Sequence, residues 1–141
     1  MRTLREVLGE KELTEIRDSI LEGTKKYQEK LGQVIIEQNL PRKNHDNAKN
    51  NFRGSKYRGP SKNRKKWQVM KMINKATVRI GAIKTELEAA RIYDFLAILT
   101  EGLNAKTNFA YNIEQLQIII KEFYFKDQNS IGRLKASDLN H

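Results

Sequence analysis

The sequence predicts an α+β fold in which a small basic β-ribbon packs on one helix, flanked by amphipathic helices on both sides. Three observations carry that expectation. Residues 67–73 and 77–80 alternate in polarity, as half-buried strands do. Residues 85–100 repeat small and apolar side chains at helical spacing behind a capping signal. Residues 10–38 and 113–125 carry further helical stripes outside that unit.

Taken in order, Thr3-Leu4-Arg5-Glu6 has capping-box spacing, which predicts a short helix that stops at Gly9. From Glu10 to Gln38, Leu13, Ile16, Ile20, Tyr27, Leu31, Val34 and Ile35 fall in steps that place them on one helical stripe. Gly23 and Gly32 weaken it, so the segment is two helices or one kinked helix. Leu40-Pro41 ends it, because proline excludes its predecessor from helical geometry. Residues 42–55, rich in Asn and Lys, form a flexible basic linker.

In the first strand, Trp67, Val69, Lys71 and Ile73 share one face and Gln68, Met70 and Met72 the other. Asn74-Lys75-Ala76 turns the chain into Thr77–Ile80, and Gly81 marks where it leaves the sheet. Thr85-Glu86-Leu87-Glu88 is a second capping box that opens a helix reaching Thr100. Ala89, Tyr93, Leu96, Ala97 and Thr100 form its sheet-facing side, and Gly102 stops it. Asn112, with Gln115 three residues on, caps a last helix over 113–125. Its wide apolar face is Ile113, Leu116, Ile119, Ile120, Phe123 and Tyr124. The division is thus a helical arm over 1–40, a linker over 41–55, a domain over 56–111, a helix over 112–125 and a tail over 126–141.

With 141 residues the chain has room for one ordinary domain plus extensions. The absence of cysteine excludes disulfides, thiol catalysis and cysteine-ligated zinc, and His45 and His141 are too few for a histidine metal site. No apolar run has the length of a membrane span, and no secretion or organelle-import signal stands out. The net charge of +10 is unevenly placed. Residues 42–84 hold fourteen Lys and Arg against Asp46, giving +13, while the remainder sums to −3. Such polarisation points to a polyanionic partner, of which nucleic acid is the commonest.

The motif Tyr57-Arg58-Gly59 is followed by Trp67-x-Val69 and Ile80-Gly81-x-Ile83-x-Thr85. Then come Glu88-Ala89-Ala90-Arg91-x-Tyr93-Asp94, Ala97-Ile98, and Gly102-x-x-Ala105-x-x-Asn108-Phe109. In order and spacing, residues 57–109 resemble the Apetala-two/ethylene-response-factor DNA-binding domain, as a divergent, protist-like member. The resemblance implies a three-stranded antiparallel sheet packed on one helix, with the sheet lying in the DNA major groove. It covers little more than a third of the chain and neither outer helix. By that alignment the groove-facing positions are Arg58, Ser61, Asn63, Lys66, Gln68, Met70, Met72, Thr77 and Arg79. Met70 and Met72 stand where plant members carry polar base readers. Lys71 replaces an inward aliphatic residue, and Pro60 replaces a valine.

The expected DNA contacts are therefore Arg58, Lys62, Arg64, Lys65, Lys66 and Arg79 toward phosphates, with Gln68 able to pair with an adenine edge. The methionines suit either thymine methyl groups or an adaptable protein contact. Phosphate-led binding with weak sequence preference is the expectation. No nucleophile–base set, paired-carboxylate site or phosphate-binding glycine loop is present, so a non-enzymatic protein without cofactor or small-molecule substrate is expected. Asp94 and Asn108 are expected to tie the helix and closing loop to the sheet. Two function classes follow. One is a nuclear DNA-binding protein, either a small transcription regulator or the DNA-holding subunit of a larger nuclear enzyme such as a DNA-modifying complex. The other is a structural or RNA-binding piece of a large assembly. The flanking apolar stripes fit a protein partner or, alternatively, packing within the chain.

Overall fold

The computed structural model describes residues 4–25, 32–40 and 55–125. Its elements are α1 (Leu4–Lys25), β1 (Val34–Ile36), β2 (Pro60–Asn63), β3 (Lys66–Ile73), β4 (Ala76–Ile83), α2 (Glu86–Glu101), β5 (Tyr111–Asn112) and α3 (Ile113–Phe125), with a 3-10 turn over Gly102–Asn104. β2, β3 and β4 form a three-stranded antiparallel sheet in sequential order, and β1 pairs with β5 as a separate two-stranded ribbon.

Helix α2 is the organising element because its second half is buried all round. Asp94, Phe95, Leu96, Ala97, Ile98 and Leu99 are six consecutive buried residues, more than a one-sided helix can hide. Ala89, Leu96 and Ala97 join the core shared with Val69, Ile73, Val78 and Ile83 of the sheet. Leu13 and Ile20 of α1, Ile36 of β1, Tyr111 of β5, and Leu116, Ile119 and Ile120 of α3 complete the same core. Those residues of the outer stripes are thus buried within the chain. Thr85 caps α2 by accepting from the Glu88 N–H at 3.1 Å. Asn112 and Gln115 exchange reciprocal bonds of 2.9 Å at the start of α3. The Asn112–Gln115 box is thus complete, and at Thr85 the N-cap bond forms.

Two expectations are corrected. The helical stripe does not run on to Gln38: Val34–Ile36 is a strand against β5, followed by a parallel bridge from Gln38 to Thr107. Val34 and Ile35 are β-branched, and edge pairing with the closing loop satisfies their backbone where a helix would not reach it. Nor does the chain leave the sheet at Gly81. β4 continues to Ile83 through a bulge, because Val69 pairs with Ile80 but Trp67 pairs with Ile83. The extra residue is absorbed with Ala82 at φ 58, and Ile83 returns to the buried face. The expected stop at Gly9 is present: its non-helical backbone (φ 78, ψ 159) divides α1 into two helical pieces across a kink. The Thr3 cap, residues 26–31, most of the linker (41–54), and the tail (126–141) lie outside the described residues, as do the side chains of Phe123 and Tyr124.

The hairpins are tight. Ile73 pairs with Ala76 across a two-residue turn in which Asn74 (φ 49) and Lys75 (φ 65) are both left-handed, as a type I′ turn requires. Asn63 pairs with Lys66 across Arg64 and Lys65, with Arg64 at φ 61. Pro60 opens β2, an edge strand, where its missing N–H removes no ladder bond from the sheet centre. Gly59 (φ 101) precedes it, and a Cβ there would run into the Tyr93 ring. Only glycine allows the chain to enter the sheet so close to α2.

Candidate nucleic-acid interface

The sheet has one face on α2 and one face in solvent, and strand pairing decides which side chains lie where. Directly paired residues share a face. Pro60 with Val69, Val69 with Ile80, and Lys71 with Val78 point toward α2. Ser61 with Gln68, Asn63 with Lys66, Met70 with Arg79, and Met72 with Thr77 point outward. The exposed side therefore gathers Ser61, Asn63, Lys66, Gln68, Met70, Met72, Thr77 and Arg79, of which the alternation over 67–73 predicts Gln68, Met70 and Met72.

A polar chain crosses this face. The Arg79 Nε–H donates to Gln68 Oε1 at 2.9 Å, and Gln68 Nε2 donates to Ser61 Oγ at 3.3 Å. One residue from each of three strands is thereby held in a fixed row. The Arg79 guanidinium lies over Gly81, where any Cβ would collide with it. That glycine leaves room for the arginine to lie flat along the sheet.

Beside the row, at the β2–β3 hairpin end, an open cleft of about 450 Å³ is lined by Asn63, Arg64, Lys65, Lys66, Arg79 and Ala82. The hairpin turn supplies Arg64 and Lys65, β3 supplies Lys66, and the β4 bulge brings Ala82 to the rim. Residues 55–84 include ten lysines and arginines and no acid. Among the described residues none of Arg64, Lys65, Lys66 and Arg79 is paired with a carboxylate. Four like charges share one cleft with no internal counterion, an arrangement that attracts polyanions.

The remaining expected contacts are not brought there. Lys62 pairs with Trp67, on the side of the sheet facing α2, and its Nζ sits 5.7 Å from the Trp67 ring centroid. Strand alternation puts it on the opposite face from its neighbours Ser61 and Asn63, and the indole then holds it as a cation–π partner. Arg58 is half-buried below β2. Its Nη2 donates to the Asn39 carbonyl oxygen and Oδ1, both at 3.2 Å. It clasps the segment after β1 rather than joining the cleft. Asn39, far away in sequence, carries no signal that would have revealed this partner. Lys71, at an inward position, escapes the core edgewise: its Nζ reaches Glu101 Oε1 at 3.2 Å and lies 5.1 Å from the Tyr93 ring centroid.

Behind the sheet, Asp94 and Asn108 form the expected tie. The Asp94 carboxylate accepts from the Asn108 N–H (2.7 Å), Asn108 Nδ2 (3.2 Å), the Phe109 N–H (3.1 Å) and the Tyr111 hydroxyl (2.8 Å). Asn108 in turn behaves like an extra strand residue for Arg58. Its Oδ1 accepts the Arg58 N–H at 2.7 Å and its Nδ2 donates to the Arg58 carbonyl at 2.9 Å. Burial pushes the Asp94 carboxyl up to about 6, against the lowering effect of its hydrogen bonds and of Arg91. Burial, together with the Asp94 charge, also raises the Tyr111 hydroxyl. Arg91 stacks on Phe109, its guanidinium carbon 4.0 Å from the ring centroid, and Phe109 in turn meets Tyr57. This cluster anchors the entry to β2 and so positions the cationic hairpin.

Among the described residues no group of three His, Asp or Glu side chains is placed to hold a metal ion. Among them, too, no helix is long and apolar enough to cross a membrane. No protein-family model, curated protein or solved structure matches the chain.

Proposed function

We propose that the chain binds duplex DNA through the exposed face of the β2–β3–β4 sheet, led by phosphate contacts and with weak sequence preference. The observation that carries this reading is the carboxylate-free cleft of Arg64, Lys65, Lys66 and Arg79 at the hairpin end of that face. A β-ribbon fits a major groove, and cations at its end reach the flanking backbone. The likeness of residues 57–109 to Apetala-two/ethylene-response-factor domains points the same way. Gln68 is held by Arg79 and Ser61, which takes up one acceptor site and one N–H of its amide. Its capacity for free base pairing is reduced accordingly.

The protein works as a binding module rather than an enzyme. Among the described residues the one deeply buried acid, Asp94, is engaged by four donors that serve the fold. We place it in the nucleus, as a small transcription regulator or as the DNA-holding subunit of a larger complex. A protein partner docked on the flanking helices has less support, because Leu13, Ile20, Leu116, Ile119 and Ile120 are spent in the chain's own core.

The test is fluorescence anisotropy with duplex DNA and duplex RNA over a salt series. Four cations engaging phosphates predict a slope of log K against log salt of about −4 on DNA. An affinity insensitive to salt, or binding confined to RNA, would overturn the proposal.

A further inference from the structure

The exposed sheet face divides into two chemically different halves. The half near the β2–β3 hairpin is cationic. The half near the β3–β4 turn is apolar, with Met70 47% and Met72 72% exposed. Met72 is more exposed than any other large apolar side chain among the described residues. Both methionines stand on the outward register of β3, while Val69 and Ile73 on the inward register are buried. Thr77, opposite Met72, adds its methyl group to the same patch.

Resting on the DNA-binding reading above, we infer that Met70 and Met72 recognise the 5-methyl group that a pyrimidine projects into the major groove. The face then prefers duplexes carrying thymine or 5-methylcytosine at the contacted positions. The 5-methyl is the one apolar feature among the base edges of the major groove. An unbranched, polarisable thioether adapts its shape to such a group. The polar residues of the face are restrained by contrast, because Arg79, Gln68 and Ser61 are bonded to one another. Residues two apart on a strand are about 6.8 Å apart, matching two base-pair steps of about 3.4 Å when the strand follows the groove. The occupant is duplex DNA because the methionines continue without a break into a carboxylate-free cationic cleft. Met70 pairs directly with Arg79, so apolar contact and charge are presented side by side.

The experiment compares the full chain on three duplexes of one mixed sequence: one with thymine, one with deoxyuridine in its place, and one with deoxyuridine plus 5-methylcytosine for cytosine. Hydrogen-bonding edges are unchanged throughout, so only the methyl groups vary. Loss of one contacted methyl should weaken binding about fourfold, and of two about fifteenfold. The 5-methylcytosine duplex should recover much of that affinity. The Met70→Gln/Met72→Gln variant should bind all three alike, with the salt slope of the unaltered protein. Equal binding of thymine and deoxyuridine duplexes by the unaltered protein, with a steep salt slope, overturns this inference and leaves the DNA-binding reading intact. That is also the outcome expected if the patch serves a protein partner. Discrimination that survives the double substitution removes these two residues from the role. Failure to bind any duplex overturns both readings.

Discussion

Asp94→Asn separates the electrostatic cost of the buried carboxylate from its bonding role. The carboxyl is held at about 6 in the fold, against an ordinary value of 3.8. Because the folded value is raised, the fold takes up a proton that the unfolded chain releases. The stability from this group is complete below pH 3.8 and is lost as pH rises through 6. A shift of this size corresponds to roughly 3 kcal/mol in all, of which about 2 kcal/mol falls between pH 4 and pH 7. Asparagine cannot titrate, and its one carbonyl oxygen can accept from either the Asn108 N–H, now on Oδ1, or the Phe109 N–H, now on Oδ2, but not from both. The stability difference between the natural protein and the variant should therefore shrink by about 2 kcal/mol from pH 4 to pH 7. Urea denaturation followed by circular dichroism at the two pH values measures it, and the subtraction cancels the other titrating groups. A difference that stays constant or grows with pH would refute the reasoning. It would mean that the four hydrogen bonds outweigh desolvation and hold the carboxyl low.

Face assignment is tested by a pair of neighbours: Lys66→Ala should weaken DNA binding and reduce the salt slope by about 1, whereas Lys62→Ala, on the α2 side, should change affinity less than about twofold. Gly59→Ala forces a Cβ into the Tyr93 ring at a φ of 101, so urea denaturation should show a loss of at least about 2 kcal/mol. Lys75→Gly relieves a left-handed lysine in the β3–β4 turn, and thermal melting should show a gain of about 1 kcal/mol.

Much of this arrangement is legible in the chain. Alternation in Trp67–Ile73 places Gln68, Met70 and Met72 outward, because a strand's period of two admits one solution once Val69 and Ile73 are inside. Capping chemistry sets the starts of α2 and α3, since Thr85 and Asn112 each bond within three residues. Other features depend on distant partners. The bulge at Gly81-Ala82 is decided by Trp67 pairing with Ile83, a long-range register that no local pattern encodes. The strand at Val34–Ile36 exists because Tyr111 and Asn112 lie beside it, and a helical stripe and a β-branched run read alike in so short a segment. Ile92, Phe95, Ile98 and Leu99 did carry a signal for a second buried side of α2, in apolar residues spread around the whole helix.

The sequence by itself determines the strands' faces, the helix starts and the concentration of positive charge in the middle of the chain, because each follows from local spacing or composition. Only the tertiary structure decides which cations act together. Strand pairing gathers Arg64, Lys65, Lys66 and Arg79 into one cleft, turns Lys62 to the far side, and commits Arg58 to Asn39. It also decides that α1 packs on α2 and that α3 adjoins β5. An apolar stripe specifies burial but not its partner, and here the buried residues of both outer helices join the chain's own core.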